Sequence, residues 1–295
     1  MKEKEDFSLK QLSDEQRVSF YGSLFAMATS DGQIQREELD LIYEMLDTED
    51  MSDQARRKLY AYAIEPPALE DCLKALADAP ETIRFALMLN LVEVSVADRL
   101  SLQEEENAMA YAQIVLGVSD EQVAAMKDSA EKMRYVRERG IDDNHAADVL
   151  KSAASGMSAV GVPILAVSYA GSVAGLSAAG ISSGLAAVGL GLGMVPGIGV
   201  AVLIGAGVFI GVNKLLDTGN QRKKDAHKSE RERKAQLAIQ NLQETINHLI
   251  SRITEMQTDA ADAKANKEAV EQLNERLRNL QRILIRRKED LAEGA

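Results

Sequence analysis

The chain has 295 residues, 46% of them hydrophobic but only 4% aromatic, with no Trp and five Pro. Its apolar character rests on Leu, Ala, Ile, Val and Met without sustained alternation, which excludes a β-rich fold and predicts an all-α chain of two or three units. The net charge of −12 argues against a nucleic-acid partner, and the single Cys72 excludes an intramolecular disulfide.

Charge divides the chain. Residues 1–150 carry 32 acidic and 16 basic residues, and residues 214–295 carry 14 acidic and 17 basic. Between them, residues 152–213 hold no Asp, Glu, Lys, Arg or His. The expected units are an acidic helical head at 1–139, a linker at 140–151, an apolar hairpin at 152–213 and a basic collar with coiled-coil tail at 214–295. The charged opening, Met1-Lys-Glu-Lys-Glu-Asp, is not expected to act as a signal peptide.

In the head, Ser13-Asp-Glu-Gln16 reads as a capping box that opens a first helix through Phe20, Leu24 and Met27. Ser30-Asp31-Gly32 turns the chain, and a second helix is expected over 35–46. Ser52 caps a third, which stops before Pro66-Pro67. A fourth covers 68–77. Pro80 opens a fifth that runs to about Ala97. The sixth covers 102–116. Ser119-Asp-Glu-Gln122 is a second capping box, opening a seventh helix that Gly140 stops.

Two parts of the head look alike. Ala28-Thr-Ser-Asp31-Gly32-Gln-Ile34-Gln-Arg-Glu37-Glu38-Leu39 pairs with Val96-Ala97-Asp98-Arg-Leu-Ser-Leu102-Gln-Glu-Glu105-Glu106. Each is an apolar helix, an Asp, a short turn with one aliphatic residue, and paired glutamates that open the next helix. The second copy is one residue longer and has Arg99 in place of the glycine. Over residues 15–136 this pattern, with Leu116-Gly117 after the second copy, resembles the TerB-like family of tellurite-resistance domains. The resemblance implies a compact helical bundle with an acidic face. By residue matching, that face is Asp31, Glu38, Asp98 and Glu106, a candidate site for Ca²⁺ or Mg²⁺, which take oxygen ligands. The same carboxylates can instead complement helix dipoles and cap free N–H groups. No EF-hand loop, Walker loop or paired-His motif is present, so an enzyme is not expected.

The uncharged run holds 14 of the 20 glycines. About 20 apolar residues cross a bilayer, so two crossings and a turn fit. Gly189, Gly193, Gly197, Ala201 and Gly205 recur at every fourth position and would form a flat stripe for close helix packing in lipid, in membrane anchoring or oligomerisation. Residues 214–234 follow with eight Lys or Arg, which puts both terminal regions on the cytoplasmic side of an inner membrane. A cytoplasmic form with the run sheathed by other helices is the alternative. In the tail, Ile239, Leu242, Ile246, Leu249, Ile253 and Met256 follow a heptad rhythm, resumed at Leu273. One helix about 100 Å long and an antiparallel hairpin are both compatible with this pattern.

The expected function is a non-enzymatic membrane-associated protein, with membrane lipid and further copies of itself as partners and room for a protein partner at the acidic head. The TerB-like resemblance implies a bacterial setting of tellurite, toxic-stress or phage resistance. The alternatives are a pore-forming effector whose hairpin inserts on a signal, and a soluble metal-binding or interaction scaffold.

Overall fold

A computed structural model describes residues 9–97, 103–139, 146–162, 221–258 and 263–293. Asp98, the series Gly189, Gly193, Gly197, Ala201 and Gly205, and the apolar run from 163 onward lie outside the described residues. The protein is all-α. After a 3₁₀ turn at Leu9–Gln11, the helices are α1 (Asp14–Ala28), α2 (Arg36–Met45), α3 (Asp53–Tyr62), α4 (Leu69–Lys74) and α5 (Glu81–Ser95). They continue as α6 (Gln103–Leu116), α7 (Asp120–Arg139), α8 (Ala146–Ala159), α9 (Gln221–Thr258) and α10 (Ala263–Glu293).

Local signals set most of these boundaries. The Ser13 Oγ accepts from Gln16 N at 3.2 Å while Gln16 Oε1 accepts from Ser13 N at 3.2 Å, closing the first capping box. Ser52 Oγ accepts from Ala55 N at 3.3 Å, and Ser119 with Gln122 repeats the box at α7. At the other end of α6, Gly117 adopts φ +66 and its neighbour Val118 N bonds back to Gln113 O at 3.1 Å. That left-handed cap explains why a glycine follows Leu116.

Two helices form the middle of the head. In α1, Phe20, Tyr21, Leu24, Phe25 and Met27 are all fully buried, as are Ile83, Leu87, Met88, Leu89 and Leu91 of α5. Helices apolar on every side belong inside a bundle. α1 and α5 pack on each other, so the first helices of the two look-alike segments share one core. α2, α3, α4 and α6 cover α1, and α6 and α7 flank α5.

α8 packs along α7 with Ala153, Met157 and Val162 buried. Gln122 Nε2 donates to Val160 O at 3.1 Å. Gly161 then takes φ +79, and Val162 N bonds to Met157 O at 3.0 Å. The charge boundary at Lys151 is therefore not an element boundary: residues 152–159 finish a helix that packs on α7 in the head. Among the described residues, no helix is long and apolar enough to cross a membrane.

The tail is two helices packed on each other. Only residues 259–262 separate them, which is too short for a parallel return, so α9 and α10 run antiparallel. The pair does not project as a rod. α9 packs on α2 and α3, and α10 packs on α2. Leu242, Ile246, Leu249 and Ile253 are buried, with Ile239 and Met256 partly so, and Leu273, Leu280 and Ile283 of α10 join the same core. The heptad stripe is thus covered within the chain.

Candidate functional site: the head–tail interface

The chemistry of this chain concentrates where the tail meets the head. The loop after α2 is its centre. Leu46 ends α2 by bonding N–H to Ile42 O, and residues 47–51 lead into α3. Arg17, buried in α1, donates through Nη2 to Asp47 O and Glu49 O, both at 2.8 Å. The Tyr21 hydroxyl accepts from Asp47 N at 3.1 Å. The core of the head therefore grips the loop from beneath.

From above, α9 grips it through a buried polar network. Asn241 and Thr245, one turn apart, are completely buried. Asn241 Oδ1 accepts from Thr48 Oγ1 at 2.8 Å and from the Tyr60 hydroxyl at 3.1 Å. Its Nδ2 donates to Leu46 O at 3.0 Å. Tyr43 OH donates to Thr245 Oγ1 at 2.8 Å, and Thr245 Oγ1 donates in turn to Asn241 O at 2.9 Å. Burial pushes the Tyr43 phenol above its ordinary range, which keeps it a neutral donor despite the opposing bond with Thr245. These bonds work in one register only, because a shift of one residue along α9 orphans them all. Buried groups left without partners cost about 1–3 kcal/mol each.

Arginines of the tail surround this network. Arg287 donates to Asp40 Oδ1 through Nε at 2.8 Å and to the Asp40 carbonyl through Nη2 at 2.8 Å, with Glu44 at 3.7 Å. Burial alone would push Arg287 down; the carboxylates of Asp40 and Glu44 outweigh it and hold it above the ordinary range. Among the described residues, Glu44 Oε1 is buried without a hydrogen-bond donor, and Arg287 is the cation that pairs with Glu44. Arg233 pairs with Glu49 at 2.7 Å, and Arg252 reaches Glu65 at 3.4 Å. Arg276 Nη1 donates to Ala63 O at 3.0 Å and Ile64 O at 2.9 Å, a cation at the C-terminal end of α3 where the helix dipole is negative. Acidic head and basic tail are complementary surfaces.

Of the expected metal face, Asp31, Glu38 and Glu106 are among the described residues and Asp98 is not. Asp31 Oδ1 accepts from Gln33 N at 2.9 Å and closes the turn at Gly32, whose φ is +89. Glu38 is buried, and its Oε2 accepts from Gln35 N at 2.8 Å in a capping box. In α6 it is Glu105 that turns inward, with Met109, Ala112 and Leu116, while Glu106 is exposed. Both buried glutamates occupy the third position of their helices, so helical register pairs Glu38 with Glu105. Among the described residues, no group of three or more His, Cys, Asp or Glu could hold a metal ion. Asp31 and Glu38 act as backbone caps.

Cys72 is buried, and desolvation pushes its thiol up to about 11. It packs against Gly22, where an added Cβ would sit 3.0 Å from Cys72 Sγ. Such a thiol is a core residue and a poor nucleophile.

Sequence reasoning missed Asn241, Thr245, Tyr43, Thr48 and the Asp40–Arg287 pair. The signal for them was the charge asymmetry between head and tail, together with an Asn and a Thr four residues apart beside the tail stripe. Compared with family models, curated proteins and solved structures, the chain matches none of them.

Proposed function

We propose that this chain is a non-enzymatic, membrane-associated protein, anchored by its uncharged run while the head and tail stay clasped at the bilayer surface. The observation that carries this reading is the 62-residue uncharged stretch, 152–213, which begins within α8 and is followed by a tail that packs back on the head. Such a stretch has no charged face to present to water, whereas a bilayer requires none. The basic collar at 214–234 supports a cytoplasmic surface for both ends. The likeness of the duplicated head motif to TerB-like domains supports a role in bacterial stress or defence, of the tellurite or phage-resistance type.

A second reading is insertion on a signal. It draws on α8, whose last residues belong to the uncharged run yet pack on α7 in the head. Membrane fractionation of the full chain with a carbonate wash tests the first reading, with a deletion of 163–213 beside it. The full chain is expected to stay in the washed pellet and the deletion variant in the supernatant. Extraction of the full chain by carbonate alone would overturn permanent anchoring and favour the second reading.

A further inference from the structure

α10 carries a basic segment that the clasp only partly uses. From Arg276 to Lys288, six of thirteen residues are Arg or Lys and none is acidic, in a chain of net charge −12. Glu275 and Glu289 bound the segment on either side. Its cations divide between two faces. Arg276 and Arg287 turn inward and are held by the carbonyls of Ala63 and Ile64 and by Asp40. Arg278, Arg282 and Lys288 are exposed and make no ion pair among the described residues. Arg286 is 69% exposed, with Asp40 at 3.5 Å and Asp290 at 3.9 Å. Arg278, Arg282 and Arg286 stand at every fourth position, and successive residues at that spacing share a helix face. Ile285, 57% exposed, lies on the same side.

We propose that this outer face of α10, Arg278, Arg282, Arg286 and Lys288 around Ile285, is a docking ridge for an anionic membrane surface. The proposal rests on the membrane reading above. Three observations select lipid as the occupant. Arginine guanidinium groups match phosphate oxygens in fork geometry. A helical ridge with an exposed aliphatic residue fits a planar interface, where the aliphatic enters the headgroup layer while the cations stay at phosphate level. A basic collar and the uncharged run precede it in the same chain, so the ridge is tethered near lipid. The acidic head disfavours a long polyanion that would wrap both faces. The inward arginines give the ridge its rigidity, because they fix the rotation of α10 on the head. Each basic residue near an anionic surface is worth about fivefold in binding. Neutralising Arg278, Arg282 and Lys288 should therefore weaken the contact about 100-fold.

The test uses the full chain with Ile285→Cys, labelled with an environment-sensitive dye; Cys72 is buried with its thiol pushed up to about 11 and stays unlabelled. The protein is reconstituted into phosphatidylcholine vesicles with or without phosphatidylglycerol, and headgroup-bound quencher reports contact. Quenching is expected only with phosphatidylglycerol, and it should vanish in high salt and in the R278Q/R282Q/K288Q variant. Inorganic phosphate should change nothing. Equal quenching in neutral vesicles, or in the triple variant, would overturn the ridge. An equal response to heparin without vesicles would overturn the assignment to lipid. Carbonate resistance is read on the same samples. Resistant protein with no lipid-dependent quenching sinks the ridge and leaves the anchor standing; extractable protein with quenching does the reverse.

Discussion

Replacing Asn241 by Ala removes the hub of the head–tail contact. The wild-type side chain satisfies Thr48 Oγ1, the Tyr60 hydroxyl and Leu46 O, in a site with no solvent exposure at Asn241. Alanine fills none of these roles, so two donors and one acceptor lose their partner. Orphaned buried groups cost about 1–3 kcal/mol each, and Tyr60, at the margin of the buried region, recovers water most readily. The sum is about 3–4 kcal/mol, which is at least about 100-fold in the opening constant. Hydrogen exchange of the full chain in mild detergent reads this directly, because local opening sets amide protection. Peptides from α9 and from the loop after α2 should exchange about 100-fold faster in Asn241→Ala, while peptides from α5 keep their rates. Gln240→Ala, one residue away and exposed, should stay within about 0.5 kcal/mol of wild type. If Asn241→Ala exchanges no faster than Gln240→Ala, the polar network does not hold the tail.

Three further outcomes follow from the structure. Cys72 and the buried tyrosines 21 and 43 keep their protons in the folded chain at pH values where the unfolded chain releases them, since burial raises all three, Cys72 to about 11. Stability should therefore be complete below pH 9 and fall as pH climbs from there past 11, with tyrosinate absorbance rising together with loss of helical circular dichroism; titration of all tyrosines with the helices intact would refute the burial. Gly117→Ala should destabilise by about 1–2 kcal/mol, because φ is +66 and the added Cβ would lie 2.9 Å from Arg84 Nη1. Gly156→Ala, inside α8 with nothing within 4 Å, should stabilise by about 0.5–1 kcal/mol. Thermal melts distinguish the signs.

Helix edges were legible because they depend on near neighbours. Ser13 with Gln16, Ser119 with Gln122 and the Leu116-Gly117 step announce their caps within four residues of sequence. The partner of the tail was not legible. A heptad stripe from Ile239 to Met256 shows that a face is covered, not what covers it, and here α10, α2 and α3 of the same chain pack on that helix. Arg276 and Arg278 look alike in sequence, yet one caps α3 and the other faces water, a difference set by the rotation of α10. The paired glutamates 105 and 106 posed the same problem; the burial of Met109, Ala112 and Leu116 on one side of α6 decides for Glu105. Absence of charge likewise fails to mark where a helix stops, because Gly161 ends α8 through its backbone conformation.

The clasp of tail on head is tested most directly by a double-mutant cycle between Asp40 and Arg287, 247 residues apart and joined at 2.8 Å. Asp40→Ala, Arg287→Ala and the double variant are compared by hydrogen exchange of α10 in the full chain. Hydrogen bonds between charged groups are worth about 1.5–3 kcal/mol, so a coupling of about 2 kcal/mol is expected. Effects that simply add, to within about 0.5 kcal/mol, would contradict a tail held on the head by this pair.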